Sequence, residues 1–130
     1  MKQTFTKDER LCKKILITKL FREGHSFYLR PFRVIFIETG IPVNFPAQVL
    51  ISVPKQHLRK AIHRNKIKRR IRESYRINKG ILYEALSERQ QQMAFCITYT
   101  SKEILSSTLI REKIILLLQR LSKEHAQITG

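Results

Sequence analysis

Apolar residues recur along this chain at two different spacings. Within residues 13–22 the pairs Leu16-Ile17 and Leu20-Phe21 stand one helical turn apart, which predicts a first amphipathic helix with Gly24 as its stop. Thr6 and Glu9 have the spacing of a capping box just before it. Residues 26–29 read as a short edge strand ending before Pro31. Residues 32–38 are rich in β-branched and aromatic side chains and predict a second strand, with Phe32, Val34 and Phe36 on one face and Arg33, Ile35 and Ile37 on the other. Both faces are largely apolar, so both should be covered. Residues 39–46, with Gly40, Pro42 and Asn44, have the composition of a connecting loop. Residues 48–53 form a third strand, closed by Pro54.

The stretch 55–79 has no proline and consists mostly of good helix formers, which predicts one long helix. At the helical period Ile67, Ile71 and Tyr75 form a stripe, while Arg59, Asn65, Lys66, Arg69, Arg72 and Arg76 fall opposite. Arg64 and Lys68 project near the apolar side and Ile62 near the basic one. Asn78 and Gly80 end the helix, 81–86 add a short helical segment, and 87–92 form a polar link. Residues 94–99 make a fourth strand, with Phe95, Ile97 and Tyr99 on one face and Ala94, Cys96 and Thr98 on the other. A final helix over 108–122 buries Leu109, Ile110, Ile114, Leu117, Leu118 and Leu121, and a loose tail follows Glu124, flexible over 125–130. The order is α-β-β-β-α-β-α, an α+β sandwich whose four-stranded sheet carries helices on both faces.

Charge changes what this fold must do. The 130 residues are the size of one domain, and 42% hydrophobic content argues against a disordered basic tail. The formal net charge is nonetheless +16, more than solubility requires. Arginine and lysine crowd the stretch 55–79 with Glu73 as its only acid, so the acids that normally relieve a charged helix at i+4 are missing. A nucleic-acid backbone is the natural counter-charge. Cys12 and Cys96 belong to no metal-binding or Cys-x-x-Cys spacing and read as reduced thiols. No signal peptide and no membrane-length apolar run is visible, so a soluble cytoplasmic protein is expected.

The basic stretch also carries a motif. Arg64-Asn65-Lys66-Ile67-Lys68-Arg69, preceded by Ser52-Val53-Pro54-Lys55 and followed by Ile71-Arg72-Glu73-Ser74-Tyr75, resembles the signature helix of the bacterial ribonuclease P protein component. Lys66 stands where that family has arginine, which keeps the charge and loses the planar fork for bidentate phosphate contact. Leu11, Phe21 and Gly24 match the family's first helix, with Ile17 where the family has an aromatic residue. The resemblance runs roughly from Phe5 to Glu124 and is most specific between Ser52 and Tyr75.

It implies a ribosomal protein S5 domain 2-like fold, with a left-handed crossover from third to fourth strand where the general handedness rule predicts a right-handed one. It also implies an accessory subunit of an endoribonuclease that removes the 5′ leader of precursor tRNA, with Mg2+ and the catalytic centre held mainly by ribonuclease P RNA. The protein would be a monomer, one per RNA. On this resemblance Lys55, Arg59, Lys60, Arg64, Asn65, Lys66, Lys68, Arg69, Arg72 and Arg76 are the candidates for binding the RNA subunit. Phe21, Arg33 and Ile35 are the candidates for a cleft between the first helix and the sheet that holds the leader.

Catalysis by the chain itself has little support in the sequence. His25, His57, His63 and His125 titrate near neutrality, yet a histidine among arginines, as at 57 and 63, reads as one more phosphate donor or a bystander. Acids are too scattered to indicate a metal site, and Gly-rich phosphate loops and nucleophile elbows are missing. No catalytic or metal-binding residue is therefore assigned. A ribosomal or general structured-RNA-binding protein is the alternative and predicts the same charge. A DNA regulator would need a helix pair displaying base-reading side chains, which the pattern does not offer.

Overall fold

The computed structural model describes residues 4–39 and 45–129. The loop positions Gly40, Pro42 and Asn44 therefore lie outside the described residues. A single 3-10 turn, Lys7–Glu9, precedes helix α1 (Lys14–Glu23), and strands β1 (His25–Leu29), β2 (Phe32–Glu38) and β3 (Ala47–Ser52) follow. Helices α2 (Ala61–Asn78) and α3 (Gly80–Glu88) lead to β4 (Met93–Tyr99) and α4 (Ser107–Thr129). The strands pair in the order β1-β2-β4-β3. β2 is antiparallel to both its neighbours and β3 runs parallel to β4, so α2 and α3 form the crossover that a parallel pair requires.

Helices cover both faces of this sheet, as the alternation predicts. Phe32, Val34, Phe36, Phe95 and Ile97 meet Ile67, Ile71, Tyr75, Leu82, Leu86, Ile114 and Leu118 of α2, α3 and α4 in the main core. Ala94 and Cys96 point the other way and pack with Leu11, Leu16 and Leu20 of the N-terminal segment and α1. The Thr6–Glu9 pair forms, with the Thr6 amide donating to Glu9 Oε1 at 3.0 Å, but it opens the isolated turn and α1 starts later. Glu9 is fully buried there, holding Lys79 and Tyr83 and so tying the N-terminal segment to the α2–α3 junction.

Helices α2, α3 and α4 differ in extent from the sequence reading, while α1 stops where it predicts. α2 begins at Ala61, six residues after Lys55, because Leu58 is buried in the core and the amides of His57 and Leu58 turn back onto the Pro54 carbonyl. Lys60 is extended at φ −81°, ψ 127°, so Lys55, Arg59 and Lys60 lie on a loop in front of the helix. α3 is longer than 81–86 and follows α2 with only Lys79, itself in helical conformation, between them. Gly24 does stop α1, in extended conformation at φ −70°, ψ 156°. Its reason is space: a Cβ there would sit 2.4 Å from the Leu20 carbonyl oxygen and 2.7 Å from Ile35 Cγ1. Finally, α4 does not give way to a loose tail after Glu124. It runs to Thr129, because His125 falls one turn after Leu121 and continues the buried stripe.

Candidate nucleic-acid interface

Helix α2 presents its charge as its apolar stripe dictates. Ile67, Ile71 and Tyr75 are fully buried, and Asn65, Lys66, Arg69 and Arg72 are exposed on the far side. Ile62, 71% exposed, sits among these charges in the first turn. The flanking cations are engaged within the protein. Arg64 donates from Nη1 to the carbonyls of Leu58 at 3.0 Å and Arg59 at 2.7 Å, which fastens the loop to the helix start. Arg70 donates to the Leu105 carbonyl of the β4–α4 loop. Arg76 binds the Glu73 carboxylate, and that hydrogen bond holds the carboxyl below the usual range. Lys68 is half-buried on the flank. The exposed basic surface therefore consists of Asn65, Lys66, Arg69 and Arg72 on the helix, with Lys55, Arg59 and Lys60 exposed on the loop before it.

A second feature lies on the sheet face that α1 covers. Strand register sets Tyr28 opposite Arg33, Arg33 opposite Thr98, and Thr98 opposite Ser52. Leu16 and Leu20 of α1 pack over the neighbouring Ile35, Ile37, Ala94 and Cys96. Tyr28 and Arg33 remain exposed. They line a groove of about 340 Å³ together with Thr98, Thr100 and the loop residues Pro54, Gln56 and His57. The same loop carries Lys55 and Arg59 toward α2, so the groove and the basic face share one connector. Arg33 thus reaches the groove. Ile35 is half-buried against the α1 cluster and Gly24. Phe21, 56% exposed, stands on solvent near the end of α1 and is not part of the groove lining. Ile17 is half-buried in the α1 cluster.

Tyr28, Gln56 and Thr98 were not singled out by sequence reasoning. Only the register that places Tyr28 beside Arg33 identifies it, and pairing between strands is not written in one strand's alternation. The groove offers a guanidinium, an amide, an imidazole and a half-exposed phenol ring, which suits the backbone and bases of a single strand. Among the described residues, none that lines it carries a carboxylate. His57 Nε2 lies 3.3 Å from Gln56 Nε2, and among the described residues no acidic side chain pairs with it. His125 is buried, and desolvation together with the nearby Arg89 pushes its pKa down to about 4. It is neutral at pH 7 and shielded from solvent. Among the described residues no group of three or more His, Cys, Asp or Glu lies together. No helix of the described residues is long and apolar enough to cross a membrane.

Comparison with known proteins matches this geometry. The sequence profile of the Ribonuclease P family matches residues 5–122. The ribonuclease P protein component of Porphyromonas gingivalis is 35% identical over 99 residues, covering 76% of this chain and 72% of that protein. The corresponding protein of Thermotoga sp. strain RQ2 is 32% identical over 93% of this chain and 98% of its own length. Among solved structures, the RNase P protein from Thermotoga maritima superposes with a TM-score of 0.68 at 28% identity, covering 86% of this chain and 96% of that one. The α+β fold, the exposed motif helix and these matches over nearly the whole length place the chain in the bacterial ribonuclease P protein family.

Proposed function

We propose that this chain is the protein subunit of a ribonuclease P ribonucleoprotein and aids removal of the 5′ leader from precursor tRNA. It is an accessory, non-catalytic subunit, and its partners are ribonuclease P RNA and precursor tRNA. Family membership across residues 5–122 carries this reading, since the matched region includes both the basic helix and the groove. The exposed side chains Asn65, Lys66, Arg69 and Arg72, with Lys55, Arg59 and Lys60 on the loop, bind phosphates of the RNA subunit. Arg64 contributes by holding that loop against the helix. Lys68 and Arg76 flank the contact. Arg33, Tyr28 and His57 receive the single-stranded leader, the arginine on phosphate and the tyrosine ring against a base. Phe21, exposed on α1, and Ile35, packed in the α1 cluster, lie outside the groove lining and are assigned no direct leader contact. The Mg2+ that the hydrolysis needs is held mainly by the RNA subunit, and the complex works in the cytoplasm.

The test is processing of a precursor tRNA at low magnesium by four samples: the RNA subunit alone, the protein alone, both together, and both with Lys66, Arg69 and Arg72 replaced by alanine. The wild-type pair should cleave, the protein alone should not, and the neutralised pair should fall toward the RNA alone. Cleavage by the protein alone would overturn the reading.

A further inference from the structure

We infer that the leader's path continues past Tyr28, around the end of the sheet, into a second groove lined by Arg30, Lys102 and Lys113. The inference rests on the assignment of the first groove to the leader. The two grooves share Tyr28 and Thr100, whose side-chain oxygens lie 3.2 Å apart. Beyond that pair the second groove opens to about 700 Å³. Its cations come from three separate pieces of chain: Arg30 from the β1–β2 turn, Lys102 from the β4–α4 loop and Lys113 from α4. Glu103 is the acid among the lining residues, so positive charge prevails.

The ridge between the grooves is held in place. The Thr100 amide and hydroxyl both donate to the Pro31 carbonyl, at 2.8 and 2.9 Å. Arg120 donates to the Tyr28 carbonyl at 2.9 Å, and its guanidinium stacks 4.5 Å from the Phe27 ring centroid. The loop that carries Lys102 is fixed as well, by the Tyr99 hydroxyl donating to the Glu103 carbonyl and by Ser101 Oγ accepting from the Glu103 amide at 3.0 Å. A half-exposed aromatic ring on a fixed ridge, with cations before and after it, is the arrangement that a single strand of RNA requires: stacking at the crest and phosphate contact on either side. An acidic protein segment would find the cations but no use for the exposed ring between them.

The experiment uses the holoenzyme reconstituted from protein and RNA subunit. Affinity is measured for precursor tRNAs whose leaders grow one nucleotide at a time, with wild-type protein, Arg33→Ala, and the double variant Lys102→Glu/Lys113→Glu. The milder Lys102→Gln/Lys113→Gln replaces the double variant if it does not fold. Wild-type affinity should rise with leader length in two stages. The double variant should lose the second stage alone, and for the longest leader its salt slope should fall by about 0.7 for every phosphate no longer neutralised. Arg33→Ala should lose the first. Equal weakening of every substrate by the double variant, or weaker binding of the RNA subunit without substrate, would assign the groove to the RNA subunit and overturn the inference. Loss of leader-length dependence in Arg33→Ala, with no effect of the double variant, would end the path at Tyr28. If neither variant alters the dependence on leader length, the leader assignment itself falls.

Discussion

His125 occupies a place in α4 where the apolar stripe calls for hydrocarbon. It lies one turn beyond Leu121, is fully buried, and meets the Phe36 ring with centroids 6.3 Å apart. Arg89 Nη2 approaches its Nδ1 at 3.5 Å, a contact that suits only the neutral ring. Burial and Arg89 together lower its pKa from 6.5 to about 4. Folding therefore favours the neutral form, and as pH falls from 6.5 toward 4 the unfolded chain takes up the proton first. Stability should decline over that window, by at most about 3 kcal/mol at 1.36 kcal/mol per pKa unit. Below 4.5 a second loss begins as Glu9, held below its usual value by Lys79, Thr6 and Tyr83 against the penalty of burial, is protonated in turn. Urea unfolding at a series of pH values should show the first decline in the wild type and a flat region in its place in His125→Leu. An unchanged decline in the variant would remove His125 as its cause. A histidine was legible in the sequence only as a polar tail residue, because periodicity counts it as a break in the stripe.

At the scale of the element, α2 shows what a periodic pattern determines and what it leaves open. The stripe Ile67, Ile71 and Tyr75 was readable from spacing alone, and with it the face left for charge. The start of the helix was not. Residues 55–60 have good helix propensity, but Leu58 is drawn into the core, and tertiary burial outweighs a preference worth a few tenths of a kcal/mol per residue. Nor could composition tell which cations are engaged, since Arg64 and Arg70 reach carbonyls at Leu58, Arg59 and Leu105. These differences alter the consequences of mutation. Alanine at Lys66, Arg69 and Arg72 removes exposed charge without touching a hydrogen bond that holds the fold, so binding to the RNA subunit should weaken while the melting temperature does not fall. The slope of log affinity against log salt should flatten by roughly 0.7–0.9 for each phosphate that the variant no longer neutralises. Arg64→Ala should instead loosen the loop carrying Lys55, Arg59 and Lys60, and Arg64→Lys should not fully restore it, because the lysine ammonium ends one bond short of Nη1, the atom that reaches both carbonyls. A triple variant with an undiminished salt slope would move the RNA contact off this face.

The whole molecule sets 26 basic residues against 10 acidic ones on a single chain. Its layers were legible because alternation in β2 and β4 assigns each side chain to one helix-covered face. The grooves were not, because they arise where strand register and loop ends meet, as Tyr28, Arg33 and His57 do. Several of the acids are already engaged: Glu9 with Lys79, Glu73 with Arg76 and Glu124 with Arg120. At physiological salt the Debye length is about 8 Å, so the remaining positive charges repel chiefly their neighbours, as on α2, and this repulsion opposes the compact state. A polyanion that binds the folded form relieves this repulsion and adds binding energy as well, about 2.7 kcal/mol when present at a hundredfold excess over its Kd. Inorganic polyphosphate should therefore raise the melting temperature of the free protein by several degrees, and at equal ionic strength sodium chloride should raise it less, since screening alone brings no bound partner. The Lys66, Arg69 and Arg72 triple alanine variant should melt higher than wild type in dilute buffer if self-repulsion on α2 is a real cost, and it should gain less from polyphosphate. If wild type and variant gain equally, the polyanion is held by charge spread over the whole surface, and the basic helix has no privileged share in it.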